Sequence, residues 1–532
     1  MVIKISMLLV FFAITVFIGF YFKHRATNVQ GFVLGGREVG PWLTAFAYGT
    51  TYFSAVIFVG YAGQFGWRFG TAATWVGLGN AFIGSLMPWI ILGRRTRIMT
   101  QHLKTATMPE FFGARFKSDA LKIGAALIVF IFLIPYTASL YNGLSRLFSM
   151  AFGIDFIWCI VGMAVLTAIY VVVGGYFATA VNDFIQGIVM LVGIVAIIAA
   201  VFQVNGGFIN ALDSLSRVPN ETVSLVSANG PTPGIFISFF GPEPLNLLGV
   251  VLLTSLGTWG LPQMVSKFYS IKSEKMITKG AVISTLFAVV IAGGCYFLGS
   301  FGRLYGDVVV RNPDTGAVAF DSIIPKMLEK LPDALVGLAI LLVLSASIST
   351  LSSLVMVSSS TLTLDFLKGH VIKNMGEKKQ LIIIRALIVV FIAISASIAV
   401  FQYMSKGTVV WIAQLMGISW GALAGSFLAP FLFGLFWKRA TKIAVWCNFA
   451  FSVIFMTGNI TLSLLAKDVF VKIYPAVLQS PINAGAFTML MGFIIVPVIS
   501  MLTKPPAKEI VEEQFSCYEE KVIVPIKGDL GE

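Results

Sequence analysis

The sequence predicts an all-α polytopic membrane protein with about thirteen transmembrane helices. Three observations carry this expectation. The 532-residue chain is 57% hydrophobic and only 11% charged, with a mean hydropathy of +0.90, whereas a globular chain carries about 25% charged residues. Apolar runs long enough to span a bilayer, about 20 residues, recur from one end to the other. Lys and Arg gather in alternate loops between those runs. A soluble domain of this composition would expose large apolar patches, so secreted disulfide scaffolds, disordered regulators and nucleic-acid-binding modules are excluded. The net charge of +13 reflects basic loops on one side of a membrane, and no nucleic-acid partner is expected.

The first apolar run, residues 5–22, has only Lys4 ahead of it and ends in Phe22-Lys23-His24-Arg25. Without a small-residue cleavage site it reads as a retained helix rather than a secretion signal. Further runs lie at 41–65, 72–93, 120–150, 156–175, 180–203, 236–266, 280–302, 333–363, 381–403, 408–437, 441–465 and 480–502. The basic loops carry Lys23, Arg25 and Arg37, then Arg94, Arg95, Arg97, Lys104, Arg115 and Lys117. Later ones carry Lys267, Lys272, Lys275 and Lys279, then Lys368, Lys373, Lys378 and Lys379, then Lys438, Arg439 and Lys442. The intervening loops are poorer, with Arg68 alone between the second and third runs.

The positive-inside rule assigns the basic set to the cytoplasm of a plasma or inner cell membrane. An odd helix count then puts the N-terminus outside and the tail from about 503 inside. That tail is expected to be disordered. The outer loop at 204–235 holds the sequon Asn220-Glu221-Thr222, read as an unmodified loop. Cys159, Cys295 and Cys447 lie in apolar runs and Cys517 in the polar tail, so neither a disulfide nor a metal cluster is predicted.

The only histidines, His24, His102 and His370, fall in or beside basic loops, which leaves no histidine relay at membrane depth. The intramembrane inventory is hydroxyls, glycines and one acid, which suits binding of ions and solutes by oxygen dipoles rather than bond-breaking. In the second run, Gly49 is followed by Thr50, Thr51 and Ser54, and such residues weaken a helix. A helix broken at mid-membrane exposes carbonyls, tolerable only where they line a cavity or hold an ion; close packing is the alternative. The ninth run is rich in hydroxyls from Ser345 to Thr361, and the adjacent Ser349 and Thr350 would give a hard-oxygen site facing the break. The seventh run, Thr254-Ser255-Leu256-Gly257-Thr258-Trp259-Gly260-Leu261-Pro262, also reads as interrupted, since Pro262 lacks an amide donor.

The two interrupted helices open blocks of five helices, 41–203 and 236–437. Five is odd, so the second block runs inverted, and matched interruptions in inverted halves point to a transporter's midplane site. An extra helix and loop (1–40), the outer loop (204–235), two peripheral helices (438–503) and a tail (504–532) complete the division.

Leu34-Gly35-Gly36-Arg37 with Gly40-Pro41, Gly174-Gly175-Tyr176 with Asn182-Asp183-Phe184-Ile185-Gln186-Gly187, and Ser349-Thr350-Leu351-Ser352 resemble the signature segments of the sodium/solute symporter family. The resemblance covers residues 1–503. It implies a leucine-transporter-type 5+5 inverted-repeat core and sodium-driven uptake of a small organic solute by alternating access, without enzymatic activity. It also implies a sodium site from the carbonyls of Thr50, Phe53 and Ala346 with the hydroxyls of Ser349 and Thr350, and Asp183 on the sodium exit route. The solute positions implied are Tyr52, Ser54, Gly60, Gly63, Gln64, Tyr136, Tyr141, Thr254, Thr258 and Trp259.

Proline carriers of the family have an acid where this chain has Tyr52, which argues against proline. Residues 181–187, Gly260-Leu261-Pro262 and Thr51-Tyr52 most resemble the pantothenate and monocarboxylate branch, whose substrates are anions. An amino-acid or sugar symporter, a proton-coupled carrier of the same fold and a membrane sensor are the competing readings. The expected partners are sodium, one small solute and lipid, with a monomer sufficing.

Overall fold

The structure, a computed structural model, describes residues 2–219, 233–311, 316, 318–404 and 412–519. The sequon at Asn220 lies outside them, as do residues 520–532 of the tail. The described residues are helical throughout the membrane portion, with only isolated bridges and no strand.

Apart from the short helices Val29–Leu34 and Lys467–Ile473, the helices in chain order are α1 (Val2–Tyr21), α2 (Pro41–Tyr52), α3 (Ala62–Phe69), α4 (74–102), α5 (Met108–Phe116), α6 (Asp119–Phe152), α7 (156–174) and α8 (176–204). They continue with α9 (Phe208–Ser216), α10 (Pro244–Leu256), α11 (Pro262–Ser270), α12 (275–299), α13 (Ile323–Glu329), α14 (Asp333–Thr361), α15 (Glu377–Met404), α16 (Ile412–Phe436), α17 (Lys442–Leu465), α18 (Pro481–Leu502) and α19 (Lys508–Ser516). Among the described residues eleven helices are long and apolar enough to cross a membrane; dividing Phe156–Val204 at Gly175 and counting α2–α3 apart from α4 gives the thirteen spans expected.

The helix over Phe156–Val204 has 49 residues, about 74 Å at 1.5 Å per residue, far more than a bilayer core of about 30 Å. Gly175, at φ 61° and ψ −169°, divides it. Tyr170 packs on Gly19 of α1, whereas Asn182 bonds the carbonyl of Thr15, earlier in α1. The chain therefore doubles back at this one residue. Only glycine adopts this backbone conformation readily, and a Cβ would also press on Ala26 and Phe32.

The basic loops meet at one end of the bundle. Arg37 donates to the carbonyls of Thr105 and Tyr269, Arg97 to Ile271, Arg115 to Gly434 and Arg439 to Met501, and Arg94 pairs with Glu274. At the opposite end Lys4 pairs with Asp333 and Arg68 with Glu243. The alternation read from the charges is thus the alternation of the fold, although several of these residues lie in helices rather than loops: Arg94, Arg95 and Arg97 in α4 and Arg115 in α5, Arg115 being 2% exposed. Lys267 is no loop residue: it lies inside α11 and is 2% exposed.

The tail departs from expectation. α19 is an ordered amphipathic helix that buries Val511, Gln514 and Phe515. Arg115 stacks on Phe515 and donates to Gln514, and Tyr518 packs under Arg95. Polar composition concealed this because the few apolar residues recur at helical spacing, and Cys517 is buried with them.

Two helices form the centre: 78% of the membrane window of α14 and 89% of that of α16 are buried, against 22% for α1. The broken helices pack around these.

Candidate functional site

Pro41 at the first turn and Gly40 before it start α2, a position where the missing proline amide costs nothing. The helix ends at Tyr52. Phe53 is extended (φ −100°, ψ 105°), and the chain re-enters helix through wide turns over Val56–Tyr61. The amides of Ile57 and Phe58 both turn to Ser54, so no backbone donor reaches the Phe53 carbonyl among the described residues. Gly49 is not the break. It sits within α2 where a side chain would strike Phe287 of α12. The second interruption follows the same logic: Leu261 is extended (ψ 122°) because it precedes Pro262, and Gly260 lets the turn approach the backbone of Leu428.

α14 lies against the first break. Ser349 donates to the carbonyls of Thr50 (3.0 Å) and Ala346 (3.1 Å). The Thr350 hydroxyl reaches Ala346 (2.9 Å), Thr50 (3.3 Å) and also Thr51 (3.3 Å). Most hydroxyls of this helix behave differently. Ser347 and Ser352 bond only their own preceding turn, the local back-bonding usual for serine in a helix. Ser349 and Thr350 are distinguished by reaching across to backbone carbonyls of α2, whereas Ser353 meets only the Thr51 hydroxyl there (2.9 Å). Four of the five oxygens expected at the cation site, from Thr50, Ala346, Ser349 and Thr350, thus converge on one point. The Thr51 carbonyl joins them, an oxygen the sequence pattern did not single out. Phe53 stands one turn away with its ring against Tyr52 and Phe287.

Above this cluster the solute positions separate into groups. Tyr52 donates to the Thr254 carbonyl (2.5 Å), joining the two interrupted helices, and Gly84 leaves room for its hydroxyl. The Tyr52 ring stacks on Phe53 at 4.4 Å and on Trp420 at 6.0 Å, and Tyr136 meets Trp420 edge-on at 5.9 Å. The Tyr136 hydroxyl faces Ser54 and the Trp420 indole. None of these three polar groups has a hydrogen-bond partner among the described residues. Buried polar atoms without partners are rare and costly, so three facing one another in one apolar-walled spot make it a candidate place for a ligand. Trp420, on α16, went unrecognised because an aromatic in an apolar run carries no signal of its own.

The remaining positions serve other contacts. Thr258 and Trp259 donate to the carbonyls of Gly84 and Ile83, tying the second break to α4. Gly63 faces the Phe320 carbonyl of the outer loop, which a Cβ added to it would meet at 2.9 Å. Gly60 lies buried in the wide turn. The Gln64 side-chain oxygen is buried without a partner among the described residues. Tyr141 is five residues from Tyr136, about 140° around the helix at 3.6 residues per turn, and faces Thr167 of α7 instead. Asp183 is 1% exposed on α8, and neither of its oxygens has a hydrogen-bond partner among the described residues.

A broken helix crossed by a hydroxyl-bearing one is what the family signature implied, and the family's sequence profile matches residues 32–449 of the chain, described as "Sodium:solute symporter family". This chain belongs to the sodium:solute symporter family. Sodium is accordingly its coupling ion. Sodium/proline symporters of Staphylococcus aureus strains JH9 and USA300 are each 29% identical to this symporter over 517 residues, covering 94% of this chain and 93% of theirs. A Na+-coupled sialic acid symporter, solved in a substrate-bound outward-open state, superposes with a TM-score of 0.72 over 95% of this symporter and 99% of that chain, at 17% identity. The fold is the leucine-transporter type. The pantothenate and monocarboxylate branch finds no support in these relatives.

Proposed function

We propose that this symporter imports a small carboxylate-bearing solute together with sodium, with the basic end of the bundle in the cytoplasm. The observation that carries the reading is the convergence of Thr50, Ala346, Ser349 and Thr350 where α14 crosses the end of α2. Each hydroxyl oxygen keeps lone pairs that can turn to a cation held among the carbonyls, with the Phe53 carbonyl closing the cage. Sodium enters from outside and ties α14 to α2, and the solute binds beside it. Both ligands favour the same arrangement, so each raises the other's affinity, a coupling of about 1–3 kcal/mol. Residues 41–203 and 236–437 then rock as inverted repeats, and sodium leaves past Asp183. An inside-negative potential contributes about 2.3 kcal/mol per charge per 100 mV.

For the solute, the unpartnered groups of Ser54, Tyr136 and Trp420 are hydrogen-bond donors, and no Asp or Glu stands among them. Donors without a fixed acid suit a carboxylate, and the positive end of a half-helix adds to the attraction. An organic anion needs nothing more. A zwitterion such as proline is the second reading, favoured by the 29%-identical sodium/proline symporters; its ammonium would rest on carbonyls freed at the breaks.

The test is reconstitution into proteoliposomes under an imposed sodium gradient, with labelled monocarboxylates, amino acids and sugars. Ser349→Ala with Thr350→Ala is expected to raise the sodium concentration for half-maximal uptake by at least about tenfold, roughly 1.4 kcal/mol. Unchanged sodium dependence removes the cage from the mechanism. Uptake driven equally well by a proton gradient removes the coupling.

A further inference from the structure

Where α17 and α18 meet the basic end of the bundle, hydrogen bonds gather cations that nothing in the symport reading employs. The Thr441 hydroxyl, which caps α17, meets that of Thr503 just past α18 (2.9 Å), and Arg439 donates to the Met501 carbonyl (3.1 Å). These contacts bring Lys442 and Lys504, the next residues along, to one place. Arg115 donates to the carbonyls of Gly434 (2.9 Å) and Trp437 (3.1 Å), which carries the end of α5 to the same corner. Lys117 caps that end in the left-handed region (φ 47°), a conformation uncommon for a residue with a side chain.

The three lysines line a single cleft of about 840 Å³ together with Arg115, and no Asp or Glu lines it. Of the acids nearest in sequence, Asp119 faces Lys122, Glu512 faces Lys508 and Glu509 is exposed. None of the three lysines has an ion-pair partner among the described residues. Lys442 also stands at the first turn of α17, the end of a helix that disfavours a cation and favours an anion.

The rest of the wall is apolar: Phe116, Ile443, Ile510 and the prolines at 505 and 506 line it, and α19 closes it with Val511. The spans fix its height. Met501 and Leu502 at the end of α18, and Ile443 and Trp446 in the first two turns of α17, expose their side chains, whereas Thr503 and Lys504 begin a polar segment. The cleft thus lies at the rim of the apolar belt, and its walls match a molecule with an anionic head and an apolar body.

We propose that this cleft binds the headgroup of an anionic phospholipid, its phosphate among Lys117, Lys442 and Lys504 and one acyl chain along Ile443 and the Trp446 indole. Basic pockets between spans are suited to such headgroups. The lipid supplies the missing counter-charge and bridges α5, α17 and the segment leading into α19. On the sidedness proposed above it belongs to the cytoplasmic leaflet, but its binding depends neither on that assignment nor on the sodium cage.

Lipid titration of the purified full-length chain in detergent, read by native mass spectrometry, tests this with phosphatidylglycerol and phosphatidylcholine as probes. The wild type is expected to retain phosphatidylglycerol in preference. Lys117→Gln, Lys442→Gln and Lys504→Gln combined should weaken that binding about a hundredfold, the order expected for three lysines beside a charged headgroup. Lys373→Gln, Lys378→Gln and Lys379→Gln combined remove the same charge from the exposed residues around the start of α15 and should leave it unchanged. Should the cleft variant fail to fold, Lys442→Gln with Lys504→Gln decides, with a weakening of about thirtyfold. Equal losses in the cleft and control variants would mean diffuse attraction to the basic end and overturn the site. A wild type indifferent to the two lipids overturns it as well. Displacement of the lipid by inorganic phosphate at equal concentration would make the occupant a free anion and overturn the lipid assignment.

Discussion

Ser349 and Thr350 lie on a helix crowded with hydroxyls, and what separates them from Ser347 or Ser352 is reach across to the Thr50 carbonyl rather than back into their own turn. The same distinction orders the aromatic positions. Tyr52 has its hydrogen bond, to Thr254, whereas Tyr136 and Trp420 hold donors that nothing among the described residues satisfies. Tyr136→Phe and Trp420→Phe should therefore raise the solute KM about tenfold, consistent with about 1–2 kcal/mol for one buried hydrogen bond. Tyr136→Phe should not lower Tm, because it removes only an unpaired buried group, whereas Trp420→Phe also leaves a cavity and should lower it. Tyr52→Phe should behave in the opposite way to Tyr136→Phe. It strands the Thr254 carbonyl and is expected to cost about 1–3 kcal/mol of stability, read as a drop in Tm. A fall in Tm for Tyr136→Phe would mean that its hydroxyl is structural.

At the scale of elements, the breaks and the close crossings have distinct causes. The break in the second half is made by Pro262, which forces Leu261 out of helical geometry. Pro262→Ala should relax that constraint, leaving Tm unchanged or higher while transport falls, because the turn that carries Thr258 and Trp259 against α4 could rewind. Transport at wild-type rates would show that another feature holds the turn open. Close crossings depend instead on missing side chains. A Cβ on Gly66 of α3 would run into the Gly299 backbone of α12, and backbone on both sides leaves little to yield. Gly66→Ala is expected to destabilise by about 1–3 kcal/mol, the usual cost of overpacking, measurable as lost thermal stability in detergent.

For the whole molecule, the start of α1, where Lys4 pairs with Asp333, lies at the end of the bundle opposite to the basic loops and the docked α19. The sidedness follows if the basic end is cytoplasmic. With native cysteines replaced, Lys326→Cys, at the edge of α13, should react with a membrane-impermeant maleimide in intact cells. Lys504→Cys should react only after permeabilisation. The reverse pattern would invert the assignment and put Asp183 and Lys267 on the entry side.

Composition and periodicity alone determined that this chain is a bundle of membrane-length helices with its basic segments gathered at one end, because apolar length and loop charge are properties of local segments. The hydroxyl pair on α14 and the proline in the seventh run were legible for the same reason. Three things only the tertiary structure decided. Lys267 reads as loop charge until packing buries it against Ser353. Trp420 is one apolar residue among many until Tyr52 and Tyr136 gather round it. Tyr141, alike on paper to Tyr136, turns to the far face of the same helix. Which face a residue presents, and to whom, depends on partners hundreds of positions away, and no stretch of local sequence encodes that.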